Sequence, residues 1–225
     1  MKSIFSFDGP LFAFVERIGN LMILNFLFLV CSLPIVTIGP AMTAMHYVTL
    51  KMARDEEEMI LKPFLHSFKQ NLKQGIVVGL ITFAAGAFLA YDLYIIYQLM
   101  MTGGFLDKVI FVVILLAFIV YWMITVYIYP MLARYDNSTK QMFRTAALLA
   151  VRHLPATVCM GIISLAPVIL LMYTPTTFLV ALLFYMVLGF ATVAFLQDKL
   201  MVRIFAQYPS DDKQNDTASE ENNDA

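Results

Sequence analysis

The sequence predicts an all-α fold: a polytopic transmembrane helix bundle of five to six spans with two cytoplasmic amphipathic elbow helices. Three observations carry this. Of 225 residues, 60% are hydrophobic and 14% charged, where an ordinary soluble domain is about a quarter charged. Several charge-free runs reach the ~20 residues that cross a hydrocarbon core of about 30 Å. The basic residues collect at the ends of alternate runs, as the positive-inside rule requires. The alternation of a membrane β-barrel, in segments of about ten residues, is absent.

The first run spans residues 18–50 without Asp, Glu, Lys or Arg. Lys2, Asp8, Glu16 and Arg17 interrupt the approach to it, and no small-residue cleavage site follows, so it is expected to be retained as a helix. At 33 residues it would be roughly 50 Å long as one helix, too long for one crossing. Residues 30–40, VCSLPIVTIGP, supply the break. Pro34 and Pro40 each lack a backbone donor, and the residue before a proline is pushed out of helical geometry. Gly39 adds local freedom.

Two outcomes fit: one kinked helix with the N-terminus outside, or a hairpin. In the hairpin, a helix over about 11–33 reaches the outer face and a second over about 39–54 returns. The charges favour the hairpin, which leaves only Lys108 outside and gives six spans. A re-entrant version is open if protein covers the bends. Pro34, Thr37, Gly39 and Pro40 are the candidate functional turn, since broken helices can present backbone groups to a solute.

The next connection, KPFLHSFKQNLK over residues 62–73, reads as a basic amphipathic helix. Phe64, Leu65, Phe68 and Leu72 share one face, with Lys69 and Lys73 off it. Asp55 and Glu56–58 before it form an acidic loop. A span follows over residues 75–101, interrupted only by Asp92, with Tyr91, Tyr94 and Tyr97 placed as an outer aromatic belt. Residues 109–133 form the next charge-free span.

The second elbow resembles the first. Asn137, Ser138 and Thr139 offer N-caps. Met142, Phe143, Ala146, Leu149 and Ala150 make an apolar stripe beside Lys140, Arg144 and Arg152. Residues 154–197 are charge-free over 44 positions, enough for two spans, and the YTPTT stretch at 173–177 divides them. The tail over 208–225 carries six acids and one lysine and reads as disordered and cytoplasmic. Residues 1–207 form a single transmembrane domain.

The chemistry is sparse. Ionisable groups inside a membrane are functional candidates, and here they are His46 and Asp92. His46, with no carboxylate near it in sequence, reads as a packing residue or a ligand-binding group. Asp92 lies near the outer interface. Asn20 and Asn25 can hydrogen-bond a neighbouring helix. Cys31 and Cys159 read as small packing residues. No metal-ligand spacing, phosphate loop or serine-nucleophile motif occurs. No cofactor and no enzyme activity are expected, nor nucleic-acid binding, because the basic residues are not interleaved with aromatics. Membrane lipid is the expected partner. Lys69, Lys73, Arg144 and Arg152 form the candidate contact for a cytoplasmic partner or anionic lipid; the alternative is an elbow that only steers the chain.

The stretch LPIVTIGPAMTA (residues 33–44), followed by Lys62-Pro63-Phe64 and a basic helix, resembles the YesL-like family of small bacterial membrane proteins, in layout from about residue 7 to 205. The resemblance implies a multi-pass protein of the bacterial cytoplasmic membrane with its C-terminus inside. The family has no established biochemical activity, and no catalytic residues carry over. Some members look to be encoded beside carbohydrate uptake and breakdown systems. That implies a non-enzymatic accessory or regulatory role beside subunits of a transport complex. The alternative is a small transporter or channel acting as an oligomer.

Overall fold

The computed structural model describes residues 10–56 and 59–208. The acidic tail beyond Tyr208, Lys2, Asp8 and Glu57–58 lie outside the described residues. Among the described residues every regular element is a helix: α1 (Pro10–Cys31), α2 (Ile38–Ala53), α3 (Leu61–Gln70), α4 (Leu72–Thr102), α5 (Phe105–Arg134), α6 (Thr139–Arg152), α7 (Leu154–Tyr173), α8 (Pro175–Phe184) and α9 (Phe190–Phe205).

The break in the first run is a hairpin. Pro34 takes an extended conformation (φ −76°, ψ 120°), and a 3₁₀ turn over Ile35–Thr37 leads into α2. The Thr37 hydroxyl lies 2.6 Å from the Cys31 carbonyl and 2.7 Å from that of Pro34, so it caps the end of α1. Pro40 sits in the first turn of α2, where its missing N–H costs nothing.

Gly39 corrects its sequence reading. Among the described residues no glycine has a positive φ, so backbone freedom is not its role. A Cβ there would strike the Gly75 carbonyl and lie 3.0 Å from the Gly79 Cα. A Cβ on Gly75 would meet the Pro40 Cα at 2.8 Å. Three glycines thus let α2 and α4 cross almost backbone to backbone, the small-residue packing that suits helices in lipid.

This crossing also corrects the level of the turn. The hairpin tip meets α4 in its first two turns. Thr102, the far end of α4, is 23 residues beyond Gly79, roughly 35 Å along the helix. The tip therefore does not lie level with the far end of α4. It lies beside the end where α3 enters.

Helix α2 is the centre of the bundle. Twelve of its 16 residues are buried, among α1, α3, α4, α5 and α9. It ends in a Schellman turn: Asp55 is left-handed (φ 57°), and the Glu56 N–H donates to the Lys51 carbonyl at 3.1 Å. The Asp55 carboxylate pairs with Arg17 of α1. Helices α4 and α5 form an antiparallel pair closed by Gly104, whose N–H donates to Asp107 at 2.8 Å. Thr82 ties them together, its hydroxyl 2.8 Å from that of Tyr129 and its carbonyl accepting from Tyr121 at 2.8 Å.

Four helical stretches among the described residues are long and apolar enough to cross a membrane: Phe14–Cys31, Leu72–Met101, Phe105–Arg134 and Pro175–Phe205. The α6–α7 pair, bent by 103°, makes a fifth if counted as one span. A sixth would have to be α2. Its 16 residues reach only about 24 Å, short of a full crossing. Apolar side chains such as Phe83, Phe105, Leu106 and Leu183 stand largely exposed on these helices. In water that would be an aggregation surface; against hydrocarbon it is a solvated one.

Helices α3 and α6 occupy the two stretches read as amphipathic. Helix α6 buries Met142, Ala146, Leu149 and Ala150, and Ser138 caps it by accepting from the Gln141 N–H. Helix α3 buries Phe64 and Ser67, and Asn71 follows on that face, its amide 3.0 Å from the Ser67 carbonyl. Leu65, assigned to the apolar face, is exposed. The buried face runs through positions 64, 67 and 71 instead, because two short polar side chains satisfy each other there. Cys159 is exposed rather than packed.

Candidate functional site

The chemistry concentrates where α2 meets α9. His46 and Asp198 are both buried, and the histidine Nδ1 lies 3.0 Å from Asp198 Oδ2 and 3.1 Å from Oδ1. The Thr49 hydroxyl, one turn further along α2, also reaches Asp198 Oδ2; its single proton goes there or to the Met45 carbonyl at 2.9 Å. A buried acid is tolerated when hydrogen bonds replace its water, and Asp198 has them with His46 and Thr49.

Spacing explains the arrangement. His46 and Thr49 are three apart and share one face of α2, and Asp198 arrives on the helix packed against that face. With Nδ1 held by Asp198, Nε2 is the ring nitrogen His46 can offer elsewhere. Holding one histidine nitrogen with a carboxylate fixes tautomer and ring orientation, as it does for ligand-binding and proton-transferring histidines.

His46 lines a cavity of about 430 Å³ bounded by α2, α5, α7, α8 and α9. This lies within the usual range for small-molecule sites, about 300–1,000 Å³. Most of the wall is apolar, with Met42, Met45, Val126, Phe190 and Val193 among its residues. Gln197, next to Asp198 in the chain, also lines it; its amide donates to the Met160 carbonyl at 3.3 Å and to the Ser164 hydroxyl. The polar part of the wall thus includes two separately hydrogen-bonded groups: His46, held by Asp198, and the Gln197–Ser164 pair. Trp122, the chain's single tryptophan, lines the same space, and its Nε1 is buried with no hydrogen-bond partner.

Between α8 and α9 the chain forms a π-helical turn over Tyr185–Gly189, and Tyr185 and Met186 of this turn also line the cavity. Such a turn loosens the backbone ladder and often marks functional sites. Asn25 of α1 repairs it: its amide donates to the Tyr185 and Met186 carbonyls at 3.0 and 2.9 Å, and its carbonyl accepts from the Ala191 N–H at 3.1 Å. The expected bond from Asn25 to a neighbouring helix is present.

The other candidates lie apart from the cavity. The turn at Pro34, Thr37, Gly39 and Pro40 packs on α4, and Thr37 engages the carbonyls it frees. Asp92 is half-buried in α4, among exposed Tyr91, Tyr94 and Tyr97. Lys69, Lys73, Arg144 and Arg152 are exposed, and Arg152 stacks over Tyr208 at 5.3 Å. The reading of His46 as lacking a carboxylate is corrected by Asp198. Sequence alone does not single out Asp198, because it follows a charge-free run and precedes Lys199, the pattern of a solvated flank. An acid ending a run whose other flanks are basic was the available signal. Among the described residues no group of three or more His, Cys, Asp or Glu could hold a metal ion.

Fold and site together define a helical protein of membrane-embedded type with a cavity among its helices. In comparison with known families, residues 21–93 match one described as "Protein of unknown function, DUF624". The match runs from the middle of α1, through the proline hairpin, α2 and α3, into α4. It contains His46 and stops short of Asp198. No curated protein and no solved structure matches the chain.

Proposed function

We propose that the chain is a non-enzymatic accessory component of the bacterial cytoplasmic membrane that binds a small molecule in the cavity beside His46. The observation that carries this is that His46, held from behind by Asp198, lines an otherwise largely apolar cavity together with Gln197 and Ser164. A packing core has no use for a carboxylate-oriented histidine facing empty space; a binding site does. The transporter alternative loses support at its candidate turn, because the Cys31 carbonyl accepts from the Thr37 hydroxyl and the Pro34 carbonyl from the Thr37 N–H.

Trp122 reports directly on the proposal. In purified protein reconstituted in lipid nanodiscs, occupancy of the cavity changes the emission of the single tryptophan. Saturable changes with a membrane-soluble probe are the expected result. Emission indifferent to every apolar probe would end this reading.

A second observation supports association with subunits of a transport complex. Helix α6 turns 103° from α7 and exposes Lys140 and Arg144, while α3 exposes Lys69 and Lys73. By the positive-inside rule these helices and the end of α9 face the cytoplasm. Neutralising Lys69, Lys73, Arg144 and Arg152 is expected to reduce co-purification of transport subunits from native membranes; unchanged partners would count against it.

A further inference from the structure

We propose that the cavity takes a single-chain amphiphile, one hydrocarbon chain with a hydroxyl or carboxyl head, seated with its head at His46. This rests on the ligand-binding reading above and names the class of ligand.

The wall decides between classes. No Lys, Arg, Asp or Glu lines the cavity, so a phosphate or nucleotide would enter without a counter-ion, which burial penalises heavily. A free sugar would fare little better. It needs partners for several hydroxyls, and most polar atoms of the wall are already engaged. The Thr125 hydroxyl donates to the Tyr121 carbonyl at 2.9 Å, the Tyr129 hydroxyl pairs with Thr82 at 2.8 Å, and Ser164 lies 3.0 Å from the Met160 carbonyl.

What remains is suited to one head group. With the Nδ1 proton directed at Asp198, the His46 Nε2 lone pair accepts from a hydroxyl or a protonated carboxyl. Beyond the polar cluster, Met45, Val126, Leu182, Met186 and Phe190 offer a continuous apolar lining for a chain. At about 430 Å³ the space is at the small end of ligand sites and suits one chain better than a two-chain phospholipid. The outer faces of α5 and α8 are apolar and exposed, as at Val120 and Leu183, so the ligand arrives from the bilayer.

The test uses full-length protein in nanodiscs and quenching of Trp122 by bromine on the chain. Four probes are compared: 9,10-dibromostearic acid, the corresponding dibromo-alcohol, a dibromoalkane of equal length without a head, and a chain-brominated phosphatidylcholine. The expected result is saturable quenching by the acid or alcohol at mole fractions where alkane and phospholipid act at least tenfold more weakly. His46→Gln, which keeps a hydrogen-bonding group for Asp198, weakens acid and alcohol at least fivefold. Val193→Phe fills the cavity while leaving His46 and Asp198 in place and abolishes saturation.

Alkane as effective as acid and alcohol, with His46→Gln neutral, would overturn the head-group assignment while leaving a binding cavity. Displacement of the brominated acid by glucose or maltose would overturn it in favour of a sugar. No saturable quenching by any probe would remove the binding reading itself.

Discussion

His46 and Asp198 are 152 positions apart in sequence and 3.0 Å apart in space, so one buried contact ties the start of the bundle to its last helix. Removing one partner strands the other. Asp198→Ala leaves His46 Nδ1 and the Thr49 hydroxyl facing a void. Loss of one member of a buried pair typically costs about 3–5 kcal/mol. Unfolding in micelles should show this, and His46→Leu with Asp198→Leu together should cost less than the sum of the two single changes, by about 1 kcal/mol or more. Strict additivity would show that the pair is not coupled.

The α2–α4 crossing makes an opposite prediction for two glycines. Gly75→Ala puts a Cβ 2.8 Å from Pro40 and should destabilise by about 1–3 kcal/mol, as overpacking does. Gly161→Ala in α7 meets nothing within 4 Å and should be neutral or stabilising by up to about 1 kcal/mol, from helix propensity. Melting temperatures of the two variants in one detergent provide the comparison.

Asn25 is fully buried and holds the π turn by three hydrogen bonds. Asn25→Leu keeps much of the volume and leaves two carbonyls and one N–H without partners. A cost of about 2 kcal/mol or more follows from the penalty for unpaired buried groups. Hydrogen exchange at Ala191 should accelerate, while exchange in α4 should not.

The four exposed cations are not equivalent. Arg152 stacks on Tyr208 at 5.3 Å, and His153 Nε2 is 3.2 Å from the Tyr208 hydroxyl. Arg152→Gln should loosen residues near Tyr208, seen as faster proteolysis after Phe205. Lys69→Gln should change stability by less than about 0.5 kcal/mol, as ordinary surface changes do. Equal effects would refute the distinction.

Local chemistry made the breaks legible. Pro34 announced the end of α1, Ser138 the start of α6, and Thr174-Pro175 the boundary of α8, because each acts on its own backbone. The membrane character followed from composition, and Asn25 stood out as a polar group in an apolar helix. The site did not stand out, since His46 acquires its meaning from a residue on another helix. Nor was the central place of α2 visible: an apolar residue facing protein and one facing lipid read alike in sequence. The π turn lies within five residues, YMVLG, that carry no local signal for it.

The buried position of α2 bears on how the protein is made. At about 5–20 residues per second, synthesis of the 152 residues between His46 and Asp198 takes roughly eight to thirty seconds. Throughout that interval the nascent chain holds an imidazole without its acid, on a helix too short to span the bilayer by itself. Closure of the bundle thus waits for α9, and a product truncated before Asp198 lies open to the membrane's quality-control proteases.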